Sequence, residues 1–171
     1  MDLSLFSIMT IERTFVMIKP DGVQRQIVGE LITRFEKVGY KIIGMKMVQV
    51  DAAHATKHYF DVEERHGKKI FDDLVGFITS GPVVAMVIEG ANAIENIRKM
   101  VGKTEPAGAP PGTIRGDYAH MTYKRADSSG KPIVNLIHAS AAKEDAELEV
   151  GLWFSESELV SDYMTVHEKF M

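Results

Sequence analysis

Val83-Val84-Ala85-Met86-Val87-Ile88 is an unbroken apolar run that follows the turn signal Ser80-Gly81-Pro82. A run of this length without alternating polar residues is typical of a strand that is buried on both faces. A strand of that kind belongs in the middle of a sheet, and the other elements are expected to flank it. We therefore predict a central strand at residues 83–88.

Three further segments are predicted to be strands. Thr14–Ile18 is β-branched and apolar, and the turn Lys19-Pro20-Asp21-Gly22 stops it. A short apolar strand ends at His138. The remaining strand spans Lys41–Val50, and period-two alternation places on one of its faces Ile43, Met45 and Met47.

Apolar residues at helical spacing separate these strands, in segments 27–38, 55–60, 70–78 and 94–101. The polar run Asp61–Lys69 is expected to be a loop or a frayed turn. His54 and His58 are four residues apart, and we expect them on a solvated helix face. The order of elements predicts an α+β fold, a ferredoxin-like four-stranded antiparallel sheet with helices packed on one face.

The chain is predicted to form a single domain at residues 12–171, preceded by an N-terminal extension at residues 1–11. Within the domain, Lys103–Asp117 is a Pro/Gly-rich loop. The turn signal Asp127–Pro132 predicts a hairpin-like excursion within residues 118–133. A C-terminal extension, Phe154–Met171, has mixed polarity and is expected to be helical in part.

Composition limits the partners and the compartment. The chain has 171 residues, a formal net charge of −4 and no cysteine. The lack of cysteine excludes disulfides and thiolate metal sites and suits a reducing cytoplasm, which is the predicted location. No stretch approaches the length of a membrane span, and the negative charge argues against a nucleic-acid coat. We therefore expect neither membrane nor nucleic acid as a partner, and any polyanionic substrate must meet a local basic pocket.

Asn135-Leu136-Ile137-His138-Ala139-Ser140 is the segment that carries chemistry, together with Glu149. It places an imidazole at a strand end, just before a helix, with a carboxylate further along that helix. Such a histidine can act as base, metal ligand or nucleophile, although taken alone a structural role is favoured. Ser140 can cap the helix that begins at Ala141, or it can hold Glu149; capping is the preferred prediction.

Four segments resemble the nucleoside diphosphate kinase family, and they occur in the family's order. They are Thr14–Arg25, Ser80–Val87, Pro111–Asp117 and Asn135–Ser140. The resemblance spans Glu12–Phe154. It implies an enzyme that moves the terminal phosphoryl group of a nucleoside triphosphate onto a histidine and then onto a nucleoside diphosphate. Relative to the commonest form of the family, residues 118–133 contain an insertion of about ten residues, a length that loops tolerate.

The same resemblance implies roles for individual residues. His138 would be the nucleophile, because a neutral imidazole offers a lone pair near neutral pH. Glu149 would fix its ring through a hydrogen bond. The residues that would contact phosphates or ribose are Lys19, Arg98, Thr104, Arg115 and Asn135.

Two further positions, Tyr59 and Ile70, are expected to bind substrate. Tyr59 matches a tyrosine near the phosphates in the family, and a core aromatic at a helix end is an equally good interpretation. Ile70 aligns with the family's base-stacking phenylalanine, and Phe60 is the alternative stacking residue.

The resemblance also implies a cofactor and an assembly. Mg²⁺ is expected to arrive on the nucleotide phosphates, without a dedicated protein metal site. The assembly is expected to be a homohexamer, with a homotetramer as the alternative. The competing hypothesis is a non-catalytic ferredoxin-like module that binds a nucleotide or RNA. An RNA-recognition domain would carry aromatic residues on its strands, and Val83–Ile88 has none.

Overall fold

The computed structural model describes residues 11–169. Apart from residue 11, which begins the first strand, the predicted N-terminal extension lies outside the described residues. The strands are β1 (Ile11–Ile18), β2 (Lys41–Gln49), β3 (Pro82–Ala91) and β4 (Ile137–Ala139). The helices are α1 (Pro20–Gln24), α2 (Val28–Lys37), α3 (Ala52–His58), α4 (Val62–His66), α5 (Lys68–Thr79), α6 (Ala93–Val101), α7 (Ile114–Tyr118), α8 (Tyr123–Ser129) and α9 (Lys143–Trp153).

The strands form one antiparallel sheet in the order β2-β3-β1-β4. β3 pairs with β1 on one side and with β2 on the other, so the predicted central strand is confirmed. The α+β class and the four-stranded antiparallel sheet are confirmed as well.

Helices cover both faces of the sheet, whereas helices on one face were predicted. Phe15 and Met17 of β1 pack on one side with Ile78 of α5 and Trp153 of α9. Residues of opposite parity, such as Val16, pack on the other side against α2 and α6. A sheet that is covered on both sides needs apolar residues at every position of its central strands, which explains why β3 shows no alternation.

The predicted common face of Ile43, Met45 and Met47 is wrong. A β-bulge between Ile42 and Gly44 inserts one extra residue into β2 and reverses the alternation there. Ile43 is therefore buried on the α5 side. Met45 and Met47 lie on the opposite face of the sheet and remain 56% and 63% exposed.

Two short helices occupy segments that were predicted to be irregular. Residues 62–66 form α4 rather than a loop, because Val62 is buried in the core and Arg65 pairs with Asp61 at 2.9 Å. Residues 123–129 form α8 rather than a hairpin-like excursion. The Thr122 hydroxyl accepts the Arg125 N–H at 3.1 Å as an N-cap, and Gly130 ends the helix in the left-handed conformation.

The C-terminal segment packs along the edge strand β2. The Val160 N–H donates to the Ile43 carbonyl at 2.7 Å, and buried Lys41 donates to the Ser161 carbonyl at 2.7 Å. Residues 156–158 and 167–169 form 3₁₀ turns, so the partial helicity expected here takes this tighter form. The segment therefore covers part of an edge that would otherwise expose unpaired backbone groups. Within residues 11–169, none of the helices combines the length and apolarity that a membrane crossing requires.

Gly22 provides a test of how tightly the turn after β1 is packed. A Cβ at this position would lie 2.7 Å from Cγ2 of Ile18 and 3.1 Å from the Leu136 carbonyl oxygen. We expect Gly22→Ala to lower the free energy of unfolding by about 1–3 kcal/mol, the usual cost of overpacking. Urea unfolding at fixed protein concentration measures this change.

Gly76→Ala is the matched control. Gly76 lies on α5, and a Cβ added there would meet no other part of the molecule within 4 Å. Alanine is the better helix former, so this variant should gain up to about 1 kcal/mol. A neutral or stabilising Gly22→Ala would contradict the close packing of Gly22 against Ile18 and the Leu136 carbonyl.

Candidate functional site

A cleft of about 1210 Å³ opens beside β4. Helices α3–α5 form one wall, and residues of α6, α7, α8, α9 and β4 complete the lining. Its lining includes all but one of the residues that the sequence assigned to a site: Lys19, Tyr59, Ile70, Arg98, Thr104, Arg115, Asn135, His138 and Glu149. Ser140 lies behind the lining and is fully buried.

β4 presents His138 to the cleft. The strand is antiparallel to β1, and His138 is paired with Met17. Its neighbours Ile137 and Ala139 are buried on the α2 side of the sheet. Because side chains alternate along a strand, His138 lies on the opposite side, where its side chain is 24% exposed.

A chain of hydrogen bonds fixes the His138 ring. His138 Nε2 lies 2.8 Å from Oε1 of Glu149, and the Ser140 hydroxyl donates to Oε2 of Glu149 at 2.6 Å. The Phe15 N–H of β1 donates to the Ser140 hydroxyl at 3.2 Å. An ionised carboxylate only accepts, so the contact assigns a proton to Nε2, and in the neutral ring the lone pair is then on Nδ1.

Ser140 does not cap the following helix, so the preferred prediction for it is wrong. The helix begins at Lys143, and its N-cap residue, Ala142, has no side chain that can accept a hydrogen bond. Ser140 instead takes the other role that the sequence left open, since it holds Glu149.

His58 is a neighbour of His138 that the sequence analysis misplaced. Its side chain is 1% exposed, and its ring lies 4.9 Å from the His138 ring at 81°. Trp153 Nε1 donates to its Nδ1 at 3.3 Å. Burial and then the nearby His138 hold the pKa of His58 well below its usual range, so it is neutral. In the sequence, His58 follows the apolar residue Ala55 by three positions, and this helical spacing could have indicated that both side chains face the core.

Lys19 and Asn135 line the cleft and are hydrogen-bonded to each other. Lys19 Nζ donates to Oδ1 of Asn135 at 2.9 Å, and Nδ2 of Asn135 donates to the Thr104 carbonyl at 2.9 Å. Burial, and to a smaller extent the Arg115 charge, lowers the pKa of Lys19 to about 8. Lys19 is therefore still mostly protonated at neutral pH.

Two arginines, Arg98 and Arg115, also line the cleft. Arg115 donates to three backbone carbonyls, those of Asn135 (3.1 Å), Gly102 (2.8 Å) and Ile137 (2.5 Å). Burial and the Arg98 guanidinium lower the pKa of Arg115 to about 10, so it too is charged at neutral pH. Arg98 donates to the Ala139 carbonyl at 3.0 Å. A guanidinium has five N–H donors, so each arginine retains some for an anion.

The α3–α5 wall carries Tyr59 and Ile70, the two further residues that the sequence analysis assigned to substrate binding. Tyr59 lines the cleft and is also part of the core, so its two interpretations are both compatible with its position. Burial raises its pKa. Ile70 is 46% exposed and Phe60 is 66% exposed, and both line the same wall.

A sequence model of the family described as "Nucleoside diphosphate kinase" matches residues 12–159. The chain belongs to the nucleoside diphosphate kinase family. A nucleoside diphosphate kinase of Sulfurisphaera tokodaii is 53% identical over 159 residues, which cover 93% of this chain and 99% of that relative.

Solved structures of nucleoside diphosphate kinases share the fold. One is a transition-state mimic of the Borrelia burgdorferi enzyme with bound vanadate and ADP. It has a TM-score of 0.89 and 41% identity and covers 92% of this chain and 95% of its own. Another is the Halobacterium salinarum enzyme in complex with CDP, with a TM-score of 0.80, 42% identity and coverage of 94% and 98%. The predicted family and the ferredoxin-like fold are therefore confirmed, and the protein is an enzyme of this family.

Ser140→Ala tests the hydrogen-bond chain behind His138. The variant leaves the buried Phe15 N–H without its acceptor and Oε2 of Glu149 without the Ser140 donor. We expect a loss of about 1–3 kcal/mol in the free energy of unfolding, since unsatisfied buried polar groups are costly. Chemical denaturation measures it. Ser128→Ala removes an exposed hydroxyl and should change stability by less than about 0.5 kcal/mol. Equal effects of the two substitutions would contradict the role given to Ser140.

Proposed function

We propose that the protein transfers the terminal phosphoryl group of a nucleoside triphosphate to a nucleoside diphosphate through a phosphohistidine on Nδ1 of His138. The main support is the bond between Nε2 and Glu149, which leaves Nδ1 as the free nitrogen of a ring held in one orientation. Membership of the family supports the overall reaction.

The reaction has two balanced halves. Nδ1 of His138 donates its lone pair to the terminal phosphorus, the bond from that phosphorus to the bridging oxygen breaks, and the diphosphate leaves with the electron pair. A terminal oxygen of a second diphosphate then attacks the phosphohistidine and releases neutral His138. While the phosphoryl group is bound, the ring is cationic, and the Glu149 carboxylate at 2.8 Å stabilises that charge.

Lys19, Arg98 and Arg115 supply the positive charge that phosphoryl transfer requires. Phosphoryl transfer depends mainly on alignment and on neutralising the oxygens of the transferred group. All three side chains are held by hydrogen bonds to fixed protein oxygens, so they need little reorganisation during the reaction. Thr104 and Asn135 would contact the ribose and phosphates beside them.

Mg²⁺ fits this site as part of the nucleotide. Among residues 11–169, the side chains that could gather round one metal ion are His58, His138 and Glu149, two nitrogens and one carboxylate. Mg²⁺ prefers oxygen ligands and keeps several waters, so the phosphates suit it better than this cluster. When bound, the ion adds positive charge on the phosphate oxygens. The predictions that no dedicated protein metal site exists, that the assembly is a homohexamer or homotetramer and that the protein is cytoplasmic stay predictions.

His138→Ala tests the nucleophile. Incubation with γ-phosphate-labelled ATP should label the wild-type protein with acid-labile phosphate and leave the His138→Ala variant unlabelled, because the nitrogen that forms the bond is gone. His120→Ala removes an exposed histidine outside the cleft and should label normally. Labelling of the His138→Ala variant would refute the assignment of the nucleophile, and an unlabelled wild type would refute the proposed phosphohistidine intermediate.

Ile70→Phe tests the base-binding wall. If Ile70 contacts the base, a phenylalanine should tighten nucleotide binding by about 1 kcal/mol or less, since stacking on a ring is worth roughly 1–3 kcal/mol and Ile70 already supplies part of it. Calorimetric titration with ADP and CDP should show similar gains for both. Val166→Phe, at an exposed position outside the cleft, is the control. Unchanged affinity in Ile70→Phe with weakened affinity in Phe60→Ala would move the base contact to Phe60.

A further inference from the structure

Leu136 has a strained backbone conformation two residues before His138. Its φ is +71°, in the left-handed region that favours glycine, although it is a buried leucine. The Ile137 N–H donates to the Asn135 carbonyl at 2.8 Å. A bond of this span across a residue with positive φ defines the rarer form of γ-turn. Such a turn persists only where surrounding contacts hold it.

Both polar backbone groups of Leu136 are bound by the turn that follows β1. The Leu136 N–H donates to Oδ2 of Asp21 at 2.9 Å, and its carbonyl accepts the Lys19 N–H at 2.8 Å. The two turns approach so closely that a Cβ on Gly22 would lie 3.1 Å from that carbonyl oxygen. Among residues 11–169, Asp21 is thus the residue whose side chain hydrogen-bonds the backbone of the strained Leu136.

Asp21 also lies beside the buried cations without lining the cleft. Its Oδ1 is buried and has no hydrogen-bond partner in the described part of the chain. Lys19 is surrounded by Arg115 of α7, which disfavours its charge, by neutral Asn135 and by Asp21, which favours its charge. His58 of α3 lies within electrostatic range of Lys19 as well.

Arg115 has a similar setting. Arg98 of α6 disfavours its charge, whereas Tyr123 of α8 and Asp21 favour it. Asp21 is therefore the carboxylate that acts on both of these cations.

We propose that Asp21 is a positioning residue for the phosphoryl transfer described above, and this inference rests on that proposed function. Its carboxylate holds the γ-turn that sets Asn135 and His138 in place, and its negative charge favours the charged forms of the buried cations Lys19 and Arg115. Because Asp21 does not line the cleft, it acts without touching the nucleotide.

Two substitutions separate the two parts of this role. Asp21→Asn retains an oxygen that can accept the Leu136 N–H but removes the charge. Asp21→Ala removes both. The control is Glu158→Gln, whose carboxylate also accepts a backbone N–H, that of Ser155 at 2.8 Å. Glu158 pairs with Lys46 on β2, at the sheet edge opposite β4, and does not line the cleft.

The readout is the rate at which γ-phosphate-labelled ATP labels His138, measured at subsaturating nucleotide from neutral to alkaline pH. Lys19 binds phosphate when protonated, so the wild-type rate should fall as the pH rises through its pKa of about 8. Without the Asp21 charge this pKa is lower, and the fall should begin at a lower pH. We expect a displacement of less than about one pH unit in Asp21→Asn, because the Asp21 charge acts on Lys19 less strongly than burial and Arg115 do.

Asp21→Ala should add a loss that remains at neutral pH and at saturating nucleotide. Release of the γ-turn misplaces the nucleophile, and a shift of about 1 Å can cost on the order of 10²-fold in rate. A merely structural residue would lower melting temperature without moving the alkaline limb. If Asp21→Ala does not fold, the pH limb of the near-isosteric Asp21→Asn decides.

Failure of the proposed reaction and failure of the role given to Asp21 give different results in this experiment. A wild-type protein that takes no label overturns the reaction itself. A labelled wild type together with an Asp21→Asn variant whose rate and alkaline limb match those of Glu158→Gln overturns the role of Asp21. A displaced limb in Asp21→Asn alone, with Glu158→Gln unchanged, supports it.

Discussion

The functional site depends on the pairing of β1 with β4, two segments that are more than 100 residues apart in the chain. The pairing is short: Val16 with Ala139, Met17 with His138 and Ile18 with Ile137. Closing so long a loop costs chain entropy, and three residue pairs alone offset little of it. The Ser140 hydroxyl and the Leu136 backbone therefore matter, because they extend the contact to Phe15 at one end and to Lys19 at the other. This pairing also decides which way the reactive ring points. Ile137 and Ala139 are buried against α2 and α6, so alternation leaves His138 on the side of α3 and α9, the helices that supply His58 and Glu149.

Much of the fold could be predicted from the sequence, because long apolar runs and helical spacing report burial directly. The apolar run Val83–Ile88 predicted the central strand, and the turn residues 19–22 predicted the end of β1. The features that the prediction missed depend on single residues, which leave no periodic pattern in the sequence. α4 and α8 are too short to show periodicity and depend on one buried residue each, Val62 or Ala126, and on local caps or ion pairs. The bulge at Ile43 reverses alternation by one extra residue, which no propensity detects.

The site residues divide in the same way. The family resemblance predicted His138 and the cations as site residues, and the structure shows that they line the cleft. The resemblance did not predict the partners of each side chain, because tertiary packing sets them. Ser140 sits before a helix, where capping is the local option, yet the carboxylate of Glu149 further along that helix folds back within 2.6 Å of its hydroxyl. His58 was predicted to face solvent because its spacing of four from His54 is not accompanied by a Glu-x-x-His metal-binding signature. The aromatic packing of Trp153 against it became visible only once α9 lay beside α3.

Charge rather than shape dominates what this cleft can recognise. Lys19 and Arg115 are both buried, and each bears a pKa lowered by that burial and by a neighbouring cation. Keeping them protonated therefore costs folding free energy, which a polyphosphate would recover on binding. The α3–α5 wall contributes the partly exposed apolar side chains of Ile70 and Phe60 together with charged side chains such as Arg65 and Lys69. Under the proposed function, we expect the phosphates to supply most of the affinity of this site through the buried cations, so that one constellation around His138 serves nucleotides with different bases.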